Sequence, residues 1–267
     1  MPEILFFSII LALATSIQSL VGFGFALFAV PLLLLAGLPL VPAVFLVLST
    51  SLVNALIGLR RLRSEIQWRK SVKASIVRAL GIIPGYILAV YTAEGSPLKL
   101  KAGIGLAIGL GVLAQARKLF LKRGVRGTSA DSEPEDFFEP SEKAAPWAFF
   151  SSGFLMGWLG MGGPPLVFWL LSGRQCARRS RSFLYSLYVL TIPFQLAVMG
   201  FHDPHILVLT VPVLLVAVPI CILVSIVALR FGDNLDVNKL QWLSLGLLSL
   251  LTLKAWVDWF LEFSSVL

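Results

Sequence analysis

The feature that most constrains this sequence is a succession of apolar runs, each about long enough to cross a lipid bilayer. A transmembrane helix needs about 20 apolar residues, and the charged residues of this chain lie mainly between such runs. Hydrophobic residues make up 57% of the 267 residues and charged residues only 13%, whereas a soluble domain contains about 25% charged residues. The sequence therefore predicts an all-α polytopic membrane protein with about eight transmembrane helices. The predicted spans are residues 4–38, 39–59, 72–92, 98–116, 146–171, 182–200, 206–229 and 240–260.

The order of these spans predicts two halves joined by a polar linker. Residues 117–145 begin with basic side chains and continue with acidic ones, with Ser and Pro between them, a composition typical of a flexible linker. Residues 1–116 and 146–267 then form two four-helix repeats, and the glycines of the first span recur in the fifth at a nearly constant separation. Four crossings per half give both halves the same orientation. If spans one and five turn back as hairpins, the number of crossings per half becomes odd and the repeat becomes inverted.

The first span of each half is interrupted by residues that disfavour a helix. Gly22 and Gly24 interrupt the first span, and the glycines and prolines of residues 160–165 interrupt the fifth. Glycine costs an α-helix about 1 kcal/mol and an interior proline about 3 kcal/mol relative to alanine. Within a bilayer, irregular backbone is tolerated only where it is buried in protein or lines a polar cavity. We therefore expect a broken first helix in each half and a polar site between the two breaks.

The acidic residues indicate the sign of the ligand. None lies deep in a predicted span, since Asp258 and Glu262 fall near the end of the last one, whereas proton- and sodium-driven carriers often place carboxylates inside the membrane. A broken helix, by contrast, exposes backbone N–H groups at a positive helix end, and glycine lets an anion approach them closely. The pattern favours an anion over a cation.

Candidate binding residues are the residues of the two breaks and the polar side chains on neighbouring spans. The predicted substrate-binding residues are Gln18, Ser19, Gly22, Gly24, Ser49, Thr50, Ser51, Asn54, Gly160, Gly162, Gly163, Pro164, Tyr185, Tyr188 and Gln195. Ser186 and Thr191 belong to the same polar series on span six, and Arg78, Arg174 and Arg178 are predicted to attract the anion. Other roles stay open for these residues. Small residues also pack helices together, and hydroxyls also bond the backbone of their own helix. The Arg78 side chain could instead extend to the membrane interface, and the later arginines could bind lipid phosphate.

The remaining signals predict no further cofactor or partner class. The formal net charge of +8 is interpreted as an excess of Lys and Arg in cytoplasmic loops, and not as a nucleic-acid-binding surface. With the N-terminus in the cytoplasm, the arginines of residues 174–181 are the exception, because they fall on the opposite face.

Cys176 and Cys221 predict no disulfide framework, and His202 and His205 in one short turn predict no metal site. The expected partners are a small anion and membrane lipid, with no cofactor.

The start of the chain is interpreted as part of the first span. It lacks a charged leader and a small-residue cleavage site, which are the marks of a removable signal peptide.

The two interrupted spans resemble those of the sulfite exporter TauE/SafE family of membrane permeases, which carry a Gly-x-Gly-Gly-type segment in the first helix of each half, often followed by Pro and Leu. The matching segments are Gly22-Phe23-Gly24-Phe25-Ala26 with Pro31-Leu32-Leu33, and Gly160-Met161-Gly162-Gly163-Pro164-Pro165-Leu166. The resemblance covers nearly the whole chain. It implies transport of sulfur-containing anions, such as sulfite or organosulfonates, across the bacterial plasma membrane.

The resulting hypothesis is a secondary carrier, expected to export a small sulfur-containing anion held between the two breaks. An anion channel or uniporter for another oxyanion or carboxylate, and a non-transporting membrane scaffold, are the alternatives. An intramembrane enzyme is disfavoured, because the sequence has no Gly-x-Ser-x-Gly motif and both histidines lie in one turn.

Overall fold

In the computed structural model, every regular element among the described residues is helical. The described residues are 2–21, 25–94, 140–173 and 177–231, with the isolated positions 103, 105, 109, 112, 113, 246, 249, 253 and 257. The helices are α1 Pro2–Val21, α2 Phe25–Leu35, α3 Leu40–Arg61, α4 Trp68–Glu94, α5 Ala145–Leu159, α6 Gly163–Leu171, α7 Ala177–His202 and α8 His205–Phe231, with a 3-10 turn at Arg63–Glu65.

Four of these helices are long and apolar enough to cross a membrane. They are Leu40–Arg61, Trp68–Thr92, Arg178–His202 and His205–Ala228. They coincide with the predicted spans two, three, six and seven, so the prediction of an all-α membrane protein is confirmed. Predicted spans four and eight lie almost entirely outside the described residues, as does the linker from residue 117 to 139. A count of eight spans and a four-helix repeat stay predictions.

Predicted spans one and five are each two shorter helices. α1 ends at Val21 and α2 begins at Phe25, which leaves residues 22–24, outside the described residues, between them. α5 ends at Leu159, and the next residue, Gly160, has a left-handed φ of 71°, a conformation that glycine adopts without a steric penalty. The N–H of Gly160 donates to the carbonyl of Met156 at 2.9 Å. The helix is therefore broken where the glycines predicted it.

The second broken helix is a hairpin and does not cross the molecule. The ring centroids of Phe149, near the start of α5, and Trp169, near the end of α6, are 4.9 Å apart. The indole N–H of Trp169 donates to the carbonyl of Ser141 at 2.9 Å, and the backbone N–H of Ser141 donates to the hydroxyl of Ser172 at 3.3 Å. Both ends of the hairpin therefore lie on one face of the molecule, since the nine residues of α6 return about 13 Å toward the start of α5.

This hairpin corrects the predicted position of the arginine cluster. The segment after α6 was expected on the face opposite the loop that joins α3 and α4. That expectation is wrong, because the hydroxyl of Ser182 on α7 donates to the carbonyl of Leu62 in that loop at 3.4 Å. We call the face that carries residues 60–70, residues 140–144 and the start of α7 the basic face. Arg178 thus lies on the same face as Arg60 and Arg61, and the arginines are no exception to the charge asymmetry.

Glycines bring α5 and α4 into close contact near the centre of the molecule. A Cβ atom on Gly153 would overlap the carbonyl oxygen of Arg78, and one on Gly157 would overlap that of Ile82. The contact is reciprocal, because a Cβ on Gly81 would overlap the carbonyl oxygen of Phe150. The two helices run in the same direction along this contact. Their backbones fix the position of the α5–α6 hairpin relative to Arg78.

Candidate functional site

A small cavity lies where the tip of the α5–α6 hairpin meets the start of α2. Its volume is about 40 Å³. A single water needs about 10–15 Å³ by the same measure, so the cavity has room for about three water-sized groups. Seven predicted binding or charged residues line it: Gln18, Ser51, Arg78, Gly160, Gly162, Gly163 and Tyr188. We call this the central cavity.

Arg78 supplies the positive charge of the central cavity. Its side chain has 0% exposure, so the expectation that it snorkels to the interface is wrong. Nη1 donates to the hydroxyl of Thr191 at 3.0 Å, and the guanidinium carbon lies 5.1 Å from the centroid of the Tyr188 ring. Nε has no acceptor, and no carboxylate of the described residues pairs with the guanidinium. A buried charge is costly unless it is paired, so the burial of Arg78 without a carboxylate partner among the described residues sets this side chain apart.

The break at residues 160–163 presents backbone donors beside that guanidinium. The N–H groups of Gly162 and Gly163 have no acceptor among the described residues, while the hydroxyl of Ser152 donates to the carbonyl of Gly162. A Cβ on Gly162 would lie 2.7 Å from Nη2 of Arg78 and 2.6 Å from the carbonyl oxygen of Ser152. Glycine is needed here for this close approach, which places the backbone of the break beside the cation.

A chain of hydrogen bonds positions Gln18 on the other wall. The hydroxyl of Ser225 donates to Oδ1 of Asn54 at 2.8 Å, and Nδ2 of Asn54 donates to Oε1 of Gln18 at 2.7 Å. The carbonyl oxygen of Gln18 is thereby occupied, which leaves its amide N–H groups for the central cavity. Ser19 joins the same chain, with its hydroxyl 3.3 Å from Oδ1 of Asn54. Asn54 and Ser19 therefore lie behind Gln18 and do not line the cavity.

Gln195 supports the hairpin rather than the cavity. Its Nε2 donates to the carbonyl of Met156 in the last turn of α5 at 2.8 Å, and its Oε1 is buried without a partner among the described residues. Gln195 was predicted to bind the substrate, but it does not line the central cavity and contacts the backbone of the broken helix instead.

Several predicted residues lie elsewhere. The hydroxyls of Ser49 and Thr50 donate to carbonyls of their own helix, at Phe45 and Leu46 respectively. This is the alternative role that the sequence left open for hydroxyls within a span. The Tyr185 ring fills the space beside Gly58, Pro164 occupies the first turn of α6, and Arg178 is exposed at the start of α7. Gly22, Gly24 and Arg174 lie outside the described residues.

Two side chains of the site were missed in the sequence. Ser152 and Ser225 are both fully buried, and both bond to predicted site residues. Their only signal in the sequence is a hydroxyl on an otherwise apolar span. Because most such hydroxyls bond their own helix, the sequence alone does not separate these two from the rest.

Comparison with known proteins identifies a family. The family described as Sulfite exporter TauE/SafE matches residues 7–255, a range that includes every residue that lines the central cavity. No curated protein and no solved structure matches the chain. With nearly its whole length matched, this multi-pass membrane protein belongs to the TauE/SafE family of transporters for sulfite and related sulfur anions.

Proposed function

We propose that the protein is a secondary carrier that exports a small sulfur-containing oxyanion, such as sulfite or a small organosulfonate, across the bacterial plasma membrane. The observation that carries the proposal is Arg78. It is a fully buried guanidinium without a carboxylate partner among the described residues, at the wall of a cavity that Gly162 and Gly163 of the hairpin also line.

The donors of the central cavity suit an oxyanion. The Arg78 guanidinium supplies the charge and the N–H groups of Gly162 and Gly163 approach from the hairpin, while the amide of Gln18 approaches from α1. Charge-assisted hydrogen bonds of this kind are shorter and about twice as strong as neutral ones. None of the described residues that line the cavity is Asp, Glu, His or Lys, so a proton that accompanies the anion is proposed to travel on the anion itself.

The packing of the helices supports an inverted repeat. α5, the first helix of the second half, runs parallel to α4 of the first half. In the same way α1, the first helix of the first half, packs against α8 of the second half, where Thr15 lies beside Cys221 and the hydroxyl of Ser19 bonds with that of Ser225. α1 and α8 are therefore also parallel. Inverted repeats of this kind place a substrate near the middle of the membrane and alternate its access by rocking one half against the other.

Arg78→Gln in proteoliposomes tests the proposal. Loss of one partner of a buried charge pair costs about 2–5 kcal/mol, so we expect the flux of radiolabelled sulfite to fall at least about tenfold. Arg69→Gln is the matched control, because Arg69 is an exposed cation on the same helix and its loss should leave flux near the wild-type value. Equal flux in both variants, with both proteins inserted, would refute the site. Flux that does not saturate with sulfite concentration would indicate a channel instead of a carrier.

A further inference from the structure

A second, larger cavity lies on the basic face of the molecule. Its volume is about 380 Å³, and we call it the vestibule. Its aromatic wall consists of Phe149, Trp169 and Phe183, whose ring centroids are 4.9 to 6.1 Å apart. Since Lys73, which also lines it, is exposed, the vestibule opens to the surface.

The vestibule and the central cavity are stacked along the same four helices. On α4, Val77 lines the vestibule and the next residue, Arg78, lines the central cavity. On α5, Phe149 lines the first and Met156 the second, about 10 Å further along the axis. On α6 and α7 too, the residues nearer the basic face line the vestibule, and the residues nearer the tip of the hairpin line the central cavity. The two spaces therefore lie one above the other, separated by about one to two helical turns.

A row of hydroxyls lies on the α4–α7 contact, beside the vestibule and not in its lining. Ser71, Ser75 and Arg78 share one face of α4, because they are four and three positions apart. The hydroxyl of Ser71 lies 2.6 Å from that of Ser186 on α7. Ser75 comes next in the row, and its hydroxyl is buried without a hydrogen-bond partner among the described residues. An unpaired buried hydroxyl is costly, and this one lies about one turn of α4 from Arg78, on the same face of the helix.

The charges around the vestibule favour an anion. Lys70, Lys73 and Arg179 line it together with the carboxylates of Glu65 and Glu142, so the lining has a net positive charge. The basic loops around it add Arg60, Arg61, Arg63, Arg178 and Arg181. A concave surface with an excess of one charge raises the local concentration of ions of the opposite sign.

We propose that the vestibule is a second binding site for the transported anion, through which the anion reaches Arg78 along the row of hydroxyls at Ser71 and Ser75. The inference rests on the proposed transport of a small oxyanion and adds its path from the basic face. Lys73 attracts the anion at the opening. The aromatic wall accommodates the organic group of a sulfonate, and the hydroxyl of Ser75 takes its hydrogen-bond partner from the passing oxyanion.

Ser75→Cys tests this path in a variant without other thiols, in which Cys176→Ser and Cys221→Ala remove the two native cysteines. We expect a membrane-impermeant anionic methanethiosulfonate to modify the new thiol from the basic face, faster than a cationic reagent of similar size. Methanesulfonate, which does not react with thiols, should slow the modification. Ser8→Cys is the matched control, because Ser8 is fully buried on α1, away from the α4–α7 contact, and its hydroxyl bonds the carbonyl of Ile4 in its own helix; it should stay unmodified.

Lys73→Gln provides a second measurement that does not depend on a reactive thiol. Sulfite flux through this variant should fall several-fold at low sulfite concentration and low ionic strength, where the charge at residue 73 attracts the anion over a long range. Flux should recover at saturating sulfite. Arg69→Gln, which removes an exposed cation outside the vestibule, should change flux much less.

The outcomes separate the path from the function. If the wild-type protein moves no sulfite but methanesulfonate still slows the modification of Ser75→Cys, the vestibule binds an anion and the proposed transport is wrong. If the wild-type protein moves sulfite but the thiol of Ser75→Cys is not modified, or methanesulfonate does not slow its modification, the proposed role of the vestibule is wrong. Equal effects of Lys73→Gln and Arg69→Gln on sulfite flux would also contradict it. Protection by phosphatidylglycerol but not by methanesulfonate would also overturn it, in favour of a lipid site.

Discussion

At the scale of single residues, the site depends on the close contact of Gly162 with the guanidinium of Arg78. A methyl group at position 162 has no room, because it would meet Nη2 and a backbone oxygen at under 3 Å. Overpacking of this kind costs about 1–3 kcal/mol, and here the displaced group is the charge that we propose binds the anion.

Gly162→Ala should therefore abolish most sulfite flux while the protein still inserts and folds. Gly200→Ala is its control, because a Cβ at position 200 meets nothing within 4 Å and alanine favours the helix by about 1 kcal/mol. The comparison is made as initial flux per inserted protein. Similar flux in both variants would contradict the role of the close contact.

The second prediction at this scale concerns the positioning of Gln18. Asn54→Ala removes the donor that holds Oε1 of Gln18, so the amide is free to rotate and the Michaelis constant for sulfite should rise several-fold with little change in maximal flux. Thr50→Ala, which removes a hydroxyl bonded to its own helix, should leave both constants unchanged. A fall in maximal flux alone, or equal effects of the two substitutions, would show that Asn54 has only a structural role.

At the scale of helices, the sequence predicted where the broken helices would be but not which way they would turn. Glycine and proline act on their own backbone, so residues 160–165 reveal the break directly. The return of α6 depends on contacts such as that of Trp169 with Ser141, which join residues whose pairing leaves no local pattern. For the same reason Arg78 was recognised as a possible anion site, while its burial and its contact with Thr191 became visible only in the fold.

The contact between α4 and α5 leads to a stability prediction. Gly157→Ala places a methyl group against the backbone of α4 at Ile82 and Tyr86, where a rigid backbone cannot yield as a flexible side chain does. We expect the thermal midpoint of the detergent-solubilised protein to fall by several degrees, whereas Gly200→Ala keeps it or raises it. An unchanged midpoint for Gly157→Ala would mean that the two helices separate without loss of stability.

At the scale of the whole molecule, the hairpin determines which loops share a side of the membrane. Ser141→Cys and Arg178→Cys, at the two ends of the α5–α6 hairpin, should react with an impermeant thiol reagent from the same side as Arg63→Cys. His205→Cys, in the exposed turn between α7 and α8, should react only from the other side. Labelling of Ser141→Cys and Arg178→Cys from opposite sides would show that this segment crosses the membrane.

Arg78 also has a consequence for the energetics of the transport cycle. A monovalent anion would neutralise the guanidinium, so the loaded site would have no net charge while the empty site would carry one positive charge. A full elementary charge that crosses the membrane potential gains or loses about 2.3 kcal/mol per 100 mV. The field would then act on the return of the empty carrier rather than on the step that moves the anion. We expect net efflux of a monovalent anion to depend on voltage, and the exchange of one anion for another to be nearly independent of it.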